Sequence, residues 1–262
     1  MKTKRFIALF LAFAMMAMAG SIAATATGNT PNGDLSYEDG GKIYVQDAKV
    51  YALEQQKLNE AQQLRQQLQL SRAYFIKVLN VPCFQQETSY WCGPATVKQV
   101  EHYLKNRSDT QASYAKALGT TTAGTDMTAI ATYLNSNVNR WYTYSSIGSR
   151  TTWEDMIIWG MQNNLPAVLD IKTTNVNNIP YNSEGHFVNT SGIDYISASH
   201  WDNWVRITDP FGVAFGNRWY TAADLYSANN AHWIKAMIWS ELTHNNDKRS
   251  REESRSIFIL PR

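Results

Sequence analysis

The chain is sparing with charge and shows almost no bias in its sign. Charged side chains make up 18% of its 262 residues, and 24 basic against 22 acidic ones leave a formal net charge of +2. Apart from a mixed-charge stretch near the C-terminus the basic residues are scattered, so nothing asks for nucleic acid or an acidic membrane surface as partner. Cysteine is scarce as well. Cys83 and Cys92 are the only two, which excludes a disulfide-dense scaffold. They stand too far apart for a two-cysteine zinc knuckle, and His, Asp and Cys are not clustered at ligand spacing elsewhere, so neither a metal nor a cofactor is expected. A glycine-rich, lysine-bearing phosphate loop is absent too. Beyond the N-terminal segment, no apolar run approaches the roughly 20 residues that a membrane helix needs.

What is present suffices for a core. Hydrophobic residues make up 44% and nine tryptophans are among them, and the length suits one or two domains. Residues 1–24 carry Lys2, Lys4 and Arg5, an apolar stretch from Phe6 to Met18, and small residues around Ala19 and Ala23. That is the pattern of a secretory signal peptide, so the protein is expected to be secreted, extracellular or in the cell envelope, with no stable membrane span after cleavage. Residues 25–45, rich in Gly, Thr, Asn, Asp and Pro, read as a flexible linker. Residues 46–80 turn abruptly to Gln, Leu, Ala, Lys and Glu without Gly or Pro, which predicts a long helix. Leu58, Ala61, Leu64 and Leu68 form its narrow stripe, continued by Phe75 and Val78. Such an arm or propeptide packs on the following domain or pairs with a second chain; packing in cis is favoured, because the stripe is too short for sustained heptads. Asn80-Val81-Pro82 ends it.

Cys92 stands at the start of another helix. Gly93 and Pro94 follow it, then Val97, Val100 and Leu104 recur at the spacing of one helical face. Proline is tolerated in a first helical turn, and the unpaired amides there favour a negative charge. A thiolate at such a place is stabilised and becomes a nucleophile if a base is near. Gln86, six residues upstream, is a candidate donor to an oxyanion, with Gln85 next to it as the competing choice. A burial role for Cys92, or a bridge to Cys83 that silences it, remains the competing reading.

The rest of the first half reads as mostly helical. Gln111 to Leu118 is closed by Gly119, Thr125-Asp126 caps a helix to about Leu134, and Thr151-Thr152 with Glu154 and Asp155 starts one to about Asn163. Arg140 to Ser146 alternates as a strand. The second half switches period: Pro166 to Ile171, His186 to Ile196, Trp204 to Thr208 and Trp233 to Trp239 read as strands, and only Thr221 to Ser227 as helix. A helical half followed by an antiparallel half argues an α+β fold.

Of the five histidines, His102, His200, His232 and His244 lie in a helix, a polar loop, at the head of the last strand and in the tail. His186 differs, because it opens a strand behind Gly185, and Asp209 follows the next strand in Thr208-Asp209-Pro210, able to orient an imidazole. Asp170, Asp194 and Asp202 compete for that part. Gln86, the run Trp91-Cys92-Gly93-Pro94-Ala95, then Gly185-His186-Phe187, then Asp209-Pro210 resemble, in that order, a papain-like cysteine peptidase, specifically the family 39-like branch similar to the bacteriocin-leader (double-glycine) peptidases.

The resemblance covers about residues 81–240. It implies a papain-like fold with catalytic domain 81–242, and leaves the signal peptide, the Gln-rich helix and the charged tail 243–262 unexplained. It further implies Cys92 as nucleophile, His186 as base and acid, Asp209 as its orienting partner, Gln86 as oxyanion donor, and a peptide or protein as substrate. Acyl transfer by the same triad, or peptide binding without turnover, are the alternatives. Tyr90, Trp91, Trp201 and Trp204 are the aromatic candidates for a cleft wall.

Overall fold

A computed structural model of the chain describes residues 48–70, 74–138, 140–196, 203–212 and 214–241. The expected signal peptide, linker and charged tail, together with His200, Trp201, Asp202 and His244, lie outside them. In chain order the elements are α1 (Ala48–Leu70), β1 (Tyr74–Val78), α2 (Cys92–Lys105), α3 (Gln111–Leu118), α4 (Met127–Asn137), β2 (Trp141–Ser146) and α5 (Arg150–Gln162). They continue with β3 (Val168–Ile171), β4 (His186–Ile196), β5 (Trp204–Thr208), β6 (Asn217–Thr221), α6 (Ala222–Ala231) and β7 (Ala236–Glu241). The strands form one antiparallel sheet in the order β2-β7-β3-β4-β5-β6. Strand β1 pairs with the second half of β4, in line with β3, which pairs with the first half. The fold is α+β, as expected.

The pleat sorts residues to two cores. Val168, Phe187 and Ile238 point to a layer formed with α2, α3 and α4, while their neighbours Leu169, Val188 and Met237 point to the layer of α1, α5 and α6. Gly192 in β4 is required by packing, because a Cβ there would stand 3.0 Å from the Arg206 side chain and 3.1 Å from the Lys77 carbonyl oxygen. It adjoins the register shift by which β4 passes from one pair of neighbours to the next.

Four expectations are corrected. The arm helix ends at Leu70, and Tyr74–Val78 is a strand whose alternating exposure reflects pairing with β4. Phe75 and Val78 fit a helical stripe by spacing, yet the run Tyr-Phe-Ile-Lys-Val is aromatic and β-branched, and an open length of β4 offers it a ladder. The sheet therefore begins upstream of residue 81. The last strand starts at Ala236, so His232 closes α6 instead of opening β7. Ser149, not Thr151, caps α5, its hydroxyl accepting from the Thr152 amide. Strand β6 goes unforeseen, because its polar, half-exposed residues lack an apolar alternation.

Helix α1 packs in cis. Ala61 and Leu68 enter the core, and the Arg65 guanidinium, itself buried, bonds Glu154 at 3.1 Å and also Asp155 on α5. Lys57 is fully buried, its Nζ donating to Thr143 Oγ1 at 2.9 Å and to the Trp239 carbonyl at 3.3 Å. Leu58 and Leu64 pack against the same core, so the stripe lies on its own chain, as favoured.

Candidate active site

Antiparallel pairing brings the site together. Because Asn189 stands opposite Thr208, the end of β5 lies beside the beginning of β4, and residues 209 and 186 become neighbours. His186 Nε2 and Asp209 Oδ1 are 2.7 Å apart, with both side chains buried. The candidate nucleophile comes from the other layer. Helix α2 is fastened to β4 by Thr96 Oγ1 donating to the Phe187 carbonyl at 3.1 Å, and by Asn189 Nδ2 donating to the Thr96 carbonyl and to Gln99 Oε1. Cys92, the first residue of α2, is buried at its N-terminus, close enough to the His186 ring for the two to interact electrostatically. With Nε2 taken by Asp209, Nδ1 is the nitrogen left to meet sulfur.

Gly93 is what lets this helix start sit so close to α4. A Cβ at that position would fall 2.5 Å from Thr125 Oγ1, a clash with a buried side chain. Trp91, the N-cap, provides no side-chain cap. The first-turn amides therefore keep their hydrogen-bonding capacity toward an incoming anion.

Electrostatics favour a charged imidazole. Burial pushes the His186 imidazolium down, but the Asp209 charge, the Asp209 hydrogen bond and the hydrogen bond and charge of Cys92 outweigh it, and the net pKa rises from 6.5 to about 10. Asp209 is itself held from several sides. Tyr181 donates its hydroxyl to Oδ2 at 2.6 Å, the Phe211 amide donates to Oδ1 at 2.8 Å, and the Asp209 amide donates to the Gly216 carbonyl at 2.7 Å. Burial first, then the neighbouring Asp209 charge, holds the Tyr181 phenol well above its ordinary pKa, so it stays a neutral donor.

Gln86 lies in the loop that leads to α2, and that loop is clamped. Gln99 donates to the Phe84 carbonyl, Gln111 donates to the Gln85 carbonyl and accepts from the Glu87 amide, and the Gln86 amide donates to the Pro210 carbonyl beside Asp209. The Gln86 carboxamide is turned partly into its own loop, Nε2 donating to the Thr88 carbonyl at 2.9 Å. Its second N–H remains a donor.

The other nominations fare differently. Both cysteines are free, and the half-buried Cys83 donates its thiol to the Asp209 carbonyl at 3.4 Å instead of bridging to Cys92. Asp170 lies 3.6 Å from His232, not beside His186, and Asp194 sits on the far half of β4, opposite Ile76 and Trp204. His102 bonds Ser108. Trp204 opens β5, at the opposite end from Asp209, so it walls no cleft here; Tyr90 and Trp91 do adjoin Cys92 and meet edge to face. Tyr181, Gln111, Phe211 and Phe215 escaped the reading of the sequence. Phe211 follows the Asp-Pro pair directly, and that adjacency was the available signal. Among the described residues no group of three or more His, Cys, Asp or Glu is placed to hold a metal ion.

Comparison with known proteins follows the same residues. The model of the family described as Peptidase_C39 like family matches residues 78–237. No curated protein matches the chain. One similar solved structure is a double glycine motif protease from an AMS/PCAT transporter in complex with the leader peptide, 13% identical with a TM-score of 0.44, the match covering 63% of this chain and 93% of that one. Another is the peptidase domain of Streptococcus ComA, a bifunctional ABC transporter involved in quorum sensing, 17% identical with a TM-score of 0.43, covering 62% and 98%.

Proposed function

The chain belongs to the Peptidase_C39 like family, and on that premise we propose that it is an exported cysteine peptidase hydrolysing peptide bonds with Cys92, His186 and Asp209, assisted by Gln86. The observation that carries the reading is one imidazole bonded to a buried carboxylate at 2.7 Å, with a thiol at a helix start near enough to interact with the same ring. In the reacting enzyme the Cys92 proton passes to His186, whose raised pKa favours the charged imidazole. Sulfur attacks the scissile carbonyl carbon, forming the C–S bond and moving the π electrons onto oxygen. The uncapped first-turn amide of Cys92 and the free N–H of Gln86 hold that oxyanion. His186 then gives its proton to the leaving nitrogen as the C–N bond breaks. Water enters, His186 takes one of its protons, and the acyl group leaves as the acid with the thiolate restored.

Export rests on the charge, apolar core and small-residue site of residues 1–24. Among the described residues no helix is long and apolar enough to cross a membrane. The test is incubation of the mature protein with a peptide library, product masses being read with and without an added amine. Cleavage that disappears in Cys92→Ala supports the reading, and transfer to the amine at the expense of hydrolysis would replace it with acyl transfer. Intact peptides with the wild-type protein would contradict both.

A further inference from the structure

We propose that Phe211, backed by Tyr181 and Phe215, forms the wall against which the residue following the scissile bond lies, so that the enzyme prefers peptides with an aromatic or large apolar side chain at that position. The inference rests on the peptidase reading above and names part of its substrate class. Three aromatic rings meet beside the proposed acid. Phe211 stacks on Tyr181 with centroids 4.9 Å apart and planes at 13°, and meets the His186 imidazole edge to face at 5.9 Å. Phe215 packs edge to face on Phe211 and on Tyr181, each at 5.3 Å. Phe211 nevertheless leaves 45% of its surface to solvent.

The ring is held from behind. The Phe211 amide is tied to Asp209 Oδ1 at 2.8 Å, the Phe215 amide to the Gly212 carbonyl at 2.9 Å, and the loop is closed by the Asp209 amide on the Gly216 carbonyl. An aromatic face fixed this way loses little freedom when a second apolar group covers it. Chemistry supplies the occupant. His186 must protonate the departing nitrogen, so that nitrogen comes within hydrogen-bond reach of the imidazole, and the residue bearing it is carried to the His186 side of the cleft. There the exposed large apolar surface touching the imidazole is Phe211. The Gln86 loop abuts the same place, its amide on the Pro210 carbonyl at 2.8 Å.

The rival explanation is that the rings only shield the His186–Asp209 hydrogen bond from water, and the two separate cleanly. Mature protein is assayed on peptides identical except for Gly, Leu, Phe or Asp after the scissile bond, and kcat/KM is measured for each. The wild type should favour Phe over Gly by about tenfold, the scale of a hydrophobic side chain on a partly open surface, and in Phe211→Ala that ratio should fall toward unity, with Phe211→Leu between. A flat wild-type profile, or an equal loss on every peptide with the ratio intact, overturns the proposal while leaving the peptidase reading in place. Should the variants not fold, the wild type alone still decides, because its kcat/KM must favour the Phe peptide over the Gly peptide. Absence of cleavage of every peptide overturns both readings together.

Discussion

Among the described residues two imidazole–carboxylate pairs are buried, on neighbouring stretches of the fold, and only one has the makings of a site. His186 and Asp209 close to 2.7 Å, the Cys92 thiol is near enough to interact with the ring, a phenol and a backbone amide hold the carboxylate, and a half-exposed aromatic ring touches the imidazole. His232 and Asp170 stand 3.6 Å apart with both side chains at 0% exposure. Asp170 is opposite Phe187 in the sheet, hence one residue from the site, yet its surroundings differ in kind. Asn229 donates to the Asp170 and Ala236 carbonyls at 2.7 and 2.9 Å, and the Ile234 amide reaches His232 Nδ1 at 3.4 Å. That pair joins the end of α6 to the sheet. Burial and pairing do not make a histidine catalytic; a nucleophile beside it and a route for substrate to reach it do.

Replacing each histidine gives the widest separation. His186→Ala should lower peptide cleavage by on the order of 10³ or more, and, because it leaves the buried Asp209 without its partner, should lower the melting temperature as well. His232→Ala should also destabilise the fold, by about 3 kcal/mol, as removal of one partner from a buried pair does, but with kcat/KM of the folded fraction close to wild type. Steady-state kinetics and thermal melts on both variants check this. Next in size, Gln86→Ala should cost about 10² in kcat through loss of one oxyanion donor, measured with KM to show that binding is not the cause.

The charge on His186 is then read by pH. Its folded pKa is raised from 6.5 to about 10, so the alkaline limb of activity should lie near pH 10. In Asp209→Asn the opposing burial is no longer outweighed by that charge, and the limb should move toward acid. The same linkage has a sign in stability: a folded pKa above the unfolded one stabilises the fold fully below about pH 6.5, and that contribution is lost as pH rises to about 10. Melts of wild type against Asp209→Asn should converge on raising the pH. The smallest effect belongs to Tyr181→Phe. Losing the 2.6 Å bond to Asp209 Oδ2 should lower kcat by about threefold to tenfold, with the alkaline limb displaced and KM unchanged.

The contrast between the two pairs was only half legible in the sequence. Strands β4 and β5 fall where the alternating and β-branched runs predict them, His186 to Ile196 and Trp204 to Thr208, and so the two site residues at their ends could be named. Asp209 rather than Asp170 was selected by motif order; spacing alone would not have done it, since both carboxylates border strands next to β4. What stayed hidden depends on contacts between distant parts of the chain. Tyr181 belongs to an irregular loop with no period to read, and Gln111 reaches Gln85 across 26 residues as an ordinary polar side chain in the first turn of a helix. Strand β1 was misread because five residues fit a helical stripe as well as a strand, and the partner that decides between them, the end of β4, lies more than a hundred positions away.

Alkylation of the two thiols in the mature protein tests the central claim most directly. Iodoacetamide at neutral pH, with the modified cysteines located by mass spectrometry, should label Cys92 well before Cys83, and His186→Asn should slow labelling of Cys92 without altering that of Cys83. Preferential labelling of Cys83, or a Cys92 rate indifferent to the loss of the imidazole, would contradict the account.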